Sequence, residues 1–361
     1  MDPLTHTLAG ASLAQTRFGR VALGTTTCVI GANLPDLDAI TYFLDGNISL
    51  GFRRGWTHGV LAMFVFPPLL AAAMSQIARL QRRPAASFGR LLALSTLAVW
   101  SHPALDWLNT YGVRLLMPFD GRWFYGDALF IVDPWLWLLL GTACVVAHSK
   151  SWPQLSMWLT LGTVSTILVT SRTDVPDVVR ILWFLGLAIV ATVRNWSGPR
   201  PQTHRVTVVC LSLALMYITT MIGSAMLARA QVDAWARAQG IIPRHIMVAP
   251  RPGNPFRRQV ILADDHHYHP LAFDWLSRER VFPVGPQTDI GADHPAAAAA
   301  LTAPEVWGLS TWARFPSFAV EPQPPADGGG YRVTIADMRF GGVTVDVNAD
   351  LEPSGIHNRF R

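Results

Sequence analysis

The sequence predicts a mainly α protein: a polytopic helical membrane bundle followed by a small C-terminal β-rich extramembrane domain. Two observations carry that expectation. Half of the 361 residues are hydrophobic and only 15% are charged, against roughly 25% in average soluble domains. The apolar residues lie in blocks before residue 230, and the remainder is polar and rich in Pro and Gly. That is the pattern of a membrane region joined to an aqueous domain. The expected division is 1–228 for the helical domain and 229–361 for the second, which opens with a helical stalk.

The elements follow in order. Residues 4–16 read as a short helix, and Val21 to Leu34 as a short apolar stretch. Asn33-Leu34-Pro35-Asp36-Leu37-Asp38 ends it. Proline disfavours the helical conformation at the residue before it, so a break is expected at Leu34. Asp36 and Asp38 could cap the next helix at Ala39, or hold a cation. Gly59 to Leu80 is long enough to span a bilayer, with a kink expected at Pro67-Pro68. Leu91 to about Leu116 and Leu129 to Ala147 follow. Pro134 suits a first helical turn, with Asp133 as its cap. Leu155 to Thr170, Val178 to Val193 and Val206 to Ala228 are three more expected spans. Trp152, Trp158, Trp183 and Trp196 could anchor them at the interface. Strands are expected at His245–Ala249, Gln259–Ala263, Tyr331–Met338 and Gly342–Asn348, where Val-Thr-Val-Asp-Val alternates as a half-buried strand does. Pro322 to Gly330 reads as a loop or hairpin connection.

The formal charge is +5. In a membrane protein basic residues mark cytoplasmic loops, and no basic run is dense enough to argue for nucleic acid. Loops 79–90 and 194–205 are basic without acids, whereas 117–128 and 171–180 contain Asp. This is expected to place the first set in the cytoplasm and the C-terminal domain outside it, in the periplasm where the cell has one, with the membrane crossed several times. Arg53 and Arg54 run against that tendency. Cys28, Cys144 and Cys210 lie in apolar segments with no Cys-x-x-Cys spacing, and read as small buried hydrophobes. The N-terminus has no basic stretch before a long apolar core, so no cleavable signal peptide is expected.

The stretch that carries chemistry is Ser101-His102-Pro103-Ala104-Leu105-Asp106-Trp107. Residues four apart share a helix face, and ionisable groups at membrane depth face a cavity or a partner. His6, Asp36, Asp38 and His58 complete the short list of such groups, with Asp127 and Asp133 behind them. Imidazoles and carboxylates together suit zinc or a similar divalent ion, manganese included, one or two in number. For any single residue, capping or mutual pairing explains it as well. For the set, burying so many unpaired ionisable groups would cost several kcal/mol each. Arg53, Arg54 or Arg122 could bind phosphate by a bidentate fork, or snorkel at the interface. Asp264-Asp265-His266-His267-Tyr268-His269 is dense in ligand types and reads as an exposed loop. No Gly-x-Ser-x-Gly elbow and no Gly-x-x-x-x-Gly-Lys loop is present, so those chemistries lack support.

Met-Asp-Pro-Leu-Thr-His-Thr-Leu-Ala-Gly, Asn-Leu-Pro-Asp-Leu-Asp, Arg-Arg-Gly-Trp-Thr-His and His-Pro-Ala-Leu-Asp-Trp resemble the signatures of the YdjM/YbcI-type inner-membrane, metal-dependent hydrolase family. Trp-Phe-Tyr-Gly-Asp and Ile-Val-Asp-Pro-Trp fit as well. The resemblance covers about residues 1–145. That family is distantly similar to zinc-dependent phospholipase C and related nucleases, whose ligands run in the order His, Asp, His and His-x-x-x-Asp. The resemblance implies that His58, His102, Asp106 and one of Asp36 or Asp38 hold a principal ion, and that His6 shares a second with Asp106. The second His and the later His-x-x-x-Glu of those enzymes are not evident here. Hydrolysis of a phosphoester or lipid-type substrate in the membrane is implied, with Asp36 or Asp38 as general base, Arg54 on phosphate and membrane lipids as partners. The alternative is a non-enzymatic membrane protein with a structural metal and a partner-binding outer domain. A transporter would carry an internal repeat, and none is visible.

Overall fold

The computed structural model describes residues 1–83, 86–196, 200–324 and 329–357. It is mainly helical, with two sheets near the C-terminus. The helical part comprises α1 (Pro3–Ala14), α2 (Gly24–Asn33), a 3₁₀ helix (Leu34–Phe43), α3 (Gly46–Phe52), α4 (Val60–Leu80), α5 (Phe88–Trp107), α6 (Pro134–His148), α7 (Trp152–Thr170), α8 (Asp177–Trp196) and α9 (Arg200–Ala238). After it come β1 (His245–Arg251), β2 (Asn254–Ala263), β3 (His267–Asp274), β4 (Val281–Pro283) and β5 (Thr288–Asp289). The chain closes with α10 (Pro295–Ala300), α11 (Trp307–Trp312), β6 (Pro316–Pro322), β7 (Tyr331–Asp337), β8 (Gly341–Val347) and β9 (Pro353–His357).

The chain forms two compact units. The first comprises Met1–Asp36, Arg54–Ala228 and Val248–Arg258, and the second Leu37–Arg53, Arg229–Met247 and Gln259–Arg361.

In the first unit small residues set the helix spacing. Gly10 of α1 lies against the Cys28 carbonyl of α2, where any Cβ would overlap. A Cβ on Gly31 would come within 2.8 Å of Ala98 on α5. Backbones that approach this closely are typical of helix packing in membranes. On its other side α1 packs against α6, and Ser12 Oγ donates to the Leu140 carbonyl at 3.2 Å. Leu8, Leu129, Leu136, Trp137, Leu140 and Trp183 are buried there together. Among the described residues two helices are long and apolar enough to cross a membrane, Val60–Leu80 and Thr203–Ala238; Pro134–His148 is apolar but shorter.

Several expectations need correction. Leu34 keeps helical dihedrals (φ −60°, ψ −37°) despite Pro35. The α-helix does end at Asn33, and the chain tightens into a 3₁₀ helix; Asp36 and Asp38 lie inside it, so neither caps a helix at Ala39. The helix expected to reach Leu116 stops at Trp107. The returning loop takes its last carbonyls: the Gly126 amide bonds Trp107 O at 2.6 Å, and the Ala128 and Leu129 amides bond Leu108 O. Such orphan carbonyls need partners wherever a helix ends. The expected stalk is helical, since α9 runs unbroken through residues 228 and 229 to Ala238; Ala, Arg and Gln there are good helix formers. Asp133 caps α6 as expected, accepting from the Trp135 and Leu136 amides at 3.0 Å.

In the second unit β6 to β9 form an antiparallel meander. In β8, Val343, Val345 and Val347 are buried while their neighbours are not, as the alternation predicts. Strands β3 to β6 and β9, and both short helices, had no clear sequence signal. The Asp264–His269 stretch is only partly a loop, since His267 and His269 belong to β3.

Candidate metal centre

The residues of the first unit that could ligate an ion come from four places. His6 is on α1, Asp36 opens the 3₁₀ helix, His58 lies in the turn before α4, and His102 and Asp106 share a face of α5. Three imidazoles and two carboxylates converge. His58 Nε2 and His102 Nε2 are 3.1 Å apart. Asp106 Oδ2 lies 3.3 Å from His58 Nε2 and 3.5 Å from His102 Nε2. Asp36 Oδ1 lies 3.8 and 3.7 Å from the same two nitrogens. His6 stacks on His102 with ring centroids 3.7 Å apart, and its Nε2 is 3.3 Å from Asp106 Oδ1. Two ligand triples arise, His58–His102–Asp106 and His6–Asp36–His102, each with donor atoms within 4.8 Å of one another.

The surroundings fix how these groups present themselves. The Ala32 carbonyl can only accept, so His102 Nδ1–H donates to it, at 2.6 Å. In the neutral ring that leaves Nε2 with its lone pair turned to the centre, the arrangement in which metal-binding histidines are held. His58 Nδ1 is 3.0 Å from the Thr57 hydroxyl, which leaves its Nε2 inward as well. Asp106 divides its oxygens: Oδ1 takes Arg54 at 3.0 Å and the amino group of Met1, and Oδ2 faces the imidazoles. Asp106 Oδ2 and both ring nitrogens of His6 are buried without a hydrogen-bond partner among the described residues. Buried polar atoms are rarely left so, and a bound cation would satisfy them. The donor set fits a divalent cation of the zinc type.

Not every candidate comes to this place. Asp38 pairs with Arg53 at 3.8 Å within the second unit. Arg54, expected as a phosphate fork, is buried and committed to protein. Nη1 donates to Asn109 Oδ1 at 3.1 Å and to the Gly112 carbonyl at 3.2 Å, Nη2 meets Asp106, and the guanidinium lies 4.6 Å over the Tyr111 ring. Its backbone is left-handed (φ 52°), a strained choice for a long side chain. Arg54 thus holds Asp106 in place. Arg122 pairs with Asp120 in an exposed turn. Asp133 is occupied by its helix cap and by the Tyr217 hydroxyl at 2.8 Å. Asp264 accepts from the His266 and His267 amides and meets His269 Nε2 at 2.7 Å, inside the second unit. Burial works to raise that carboxyl, but His269 and the two amides outweigh it and hold it at about 2. The Ala32 carbonyl and Asn109 could not be found by reading ligand types, because neither has a side-chain signature for this role.

With the geometry in place, comparison with known proteins gives the grouping. Residues 1–174 match the YdjM inner membrane protein family. The YdjM-type region therefore contains every residue of the centre, and helices α1 to α7. The uncharacterized protein YfhP of Bacillus subtilis (strain 168) is 23% identical over 165 residues, 43% of this chain and 49% of that protein. The match thus spans about half the length of that curated relative. No solved structure matches the chain. The YdjM family is one of inner membrane proteins, and the two long apolar helices are compatible with that placement.

Proposed function

We propose that the protein is an integral-membrane, metal-dependent hydrolase acting on a phosphoester or lipid-type substrate. The observation that carries this reading is the buried convergence of His6, His58, His102, Asp36 and Asp106, in which His6 and Asp106 Oδ2 lack hydrogen-bond partners among the described residues. One ion is the simplest occupancy. His102 has only Nε2 to offer, because Nδ1–H is spent on Ala32 O, and an imidazole so held cannot bridge two ions. His58, His102 and Asp106 would hold zinc or manganese, with His6 or Asp36 completing the set.

A divalent ion supplies Lewis acidity toward a phosphoryl oxygen and lowers the pKa of water toward neutrality. The chain supplies the rest. Arg54 fixes Asp106, Ala32 fixes the His102 ring, and Thr57 steadies His58. Asp36 is the least buried of the five, with 17% of its side chain exposed. With His6 completing the ion's ligands, it is therefore the group best placed to accept a proton from water. The charge distribution of the loops supports a multi-pass topology with the C-terminal unit outside the cytoplasm.

Metal content of the detergent-purified protein tests the reading, wild type beside the His102→Ala/Asp106→Ala double variant. About one zinc or manganese per chain, lost in the variant, is expected from a site of this donor set. A wild type that binds neither metal after reconstitution overturns it. Hydrolysis of phosphoester and phospholipid substrates by the loaded protein, absent from the double variant, is the second expected result.

A further inference from the structure

The segment Leu37–Phe52 follows the metal-centre residue Asp36 in the chain and belongs to the second unit. Its polarity is inverted relative to a water-soluble surface element. Phe43 is 89% exposed and Ile40 69%, and Leu37, Leu44 and Phe52 are exposed too. The polar side chains of the same segment point the other way. Asp38, Thr41 and Ser49 are buried. Thr41 Oγ1 donates to the Asp38 carbonyl at 2.6 Å and has the Ser49 hydroxyl 3.4 Å away. Asp38 pairs with Arg53, whose guanidinium lies 4.5 Å over the Tyr42 ring. The other acid, Asp45, is spent on capping α3 through the Asn47 amide at 2.8 Å.

Water favours the opposite arrangement, in which apolar groups turn in and polar groups turn out. Hydrocarbon favours this one, because every polar group must then be satisfied from within. The element is a 3₁₀ turn and a two-turn helix, too short to span a bilayer. It is also anchored. Asn47 Nδ2 donates to the Pro304 carbonyl at 3.1 Å, Asn47 Oδ1 accepts from the Gly308 amide, and Gly51 leaves room for the Trp307 ring.

We propose that Leu37–Phe52 is an interfacial element that dips its apolar face, centred on Ile40, Phe43 and Leu44, into the lipid of one bilayer leaflet. The second unit is thereby held to the membrane by its own lipid contact, in addition to the covalent link to the spanning helices. The inference rests on the membrane placement of the chain and is independent of the metal.

Labelling tests it on the full-length protein. The native cysteines Cys28, Cys144 and Cys210 are buried. Single cysteines placed by Phe43→Cys and Leu44→Cys would carry an environment-sensitive fluorophore, in vesicles of phosphatidylethanolamine and phosphatidylglycerol. Phe64→Cys, on the exposed face of the spanning helix α4, serves as the lipid control, and Asp350→Cys, on the exposed β8–β9 connection, as the water control. Expected is blue-shifted emission at positions 43 and 44, quenched by nitroxide-labelled phospholipid as at 64, and insensitive to iodide. Iodide quenching at 43 and 44 like that at 350 overturns the proposal while a lipid signal at 64 leaves the membrane reading standing. Shielding from both quenchers would assign the face to a protein partner and overturn it equally.

Discussion

Arg54 shows how much one side chain can decide. Its guanidinium satisfies Asp106, Asn109 and Gly112 together, and both members of the Arg54–Asp106 pair are buried. Removing one partner of a buried pair leaves an uncompensated charge. Arg54→Met is therefore expected to destabilise the protein by ~3–5 kcal/mol, measured by denaturation in detergent. Arg54→Lys should recover only part of this, because one ammonium cannot reproduce a planar fork. A smaller lever sits in the second unit. The Asp264 carboxyl, held at about 2, lies below the roughly 3.9 of an unfolded aspartate. A depressed folded value means the stabilisation is complete above the unfolded value and fades as pH falls through the folded one. Wild type and Asp264→Asn should therefore differ in unfolding midpoint at pH 5 and above, and converge as pH approaches about 2. A difference that persists unchanged at the acid end would contradict this assignment.

At the scale of elements, α1 carries His6 into the centre and packs against both α2 and α6. The α1–α2 crossing depends on Gly10, since the Cys28 carbonyl occupies the space a side chain would need. Gly10→Leu should push α1 away and with it His6; loss of expression in the membrane or of thermal stability is the expected readout. Helix α6 starts on Asp133, which accepts from two amides and from Tyr217. Asp133→Ala should cost about 1 kcal/mol for the lost cap and about 1–3 kcal/mol for the buried hydroxyl left unpaired. Tyr217→Phe should cost less, because the cap survives. The order of the two melting temperatures checks the assignment. The 3₁₀ helix at Leu34–Phe43 matters in another way. Its tight turn keeps Asp36 with the histidines of the first unit and leaves Asp38 to pair with Arg53.

For the whole molecule, topology is the open variable that charge distribution addresses. Loops 79–90 and 194–205 are basic without acids, and the proposed topology, drawn from the positive-inside tendency, has them in the cytoplasm. A periplasm-active reporter fused after the C-terminal unit should be active, and one fused within loop 79–90 inactive. The reverse pattern would invert the topology and place the second unit in the cytoplasm.

The sequence by itself determined what depends on local pattern. Apolar blocks marked α4, α7, α8 and α9, Asp133-Pro134 marked the start of α6, and the Val-Thr-Val-Asp-Val alternation marked β8. The motifs around His6, Asp36, His58 and His102 were visible as ligand types at suggestive spacing, and they are the residues that the fold brings together. The tertiary structure decided the rest. Which aspartate of the Asn-Leu-Pro-Asp-Leu-Asp stretch joins the centre, why Arg54 is spent on Asp106, and which carbonyl orients His102 all depend on contacts between distant residues. The His58–His102 and His102–Ala32 contacts join residues 44 and 70 apart in the chain. Periodicity and capping signals act over a few residues, so they could not reveal such pairs. Only the close packing of α1, α2 and α5, permitted by Gly10 and Gly31, brings those groups within reach of one another.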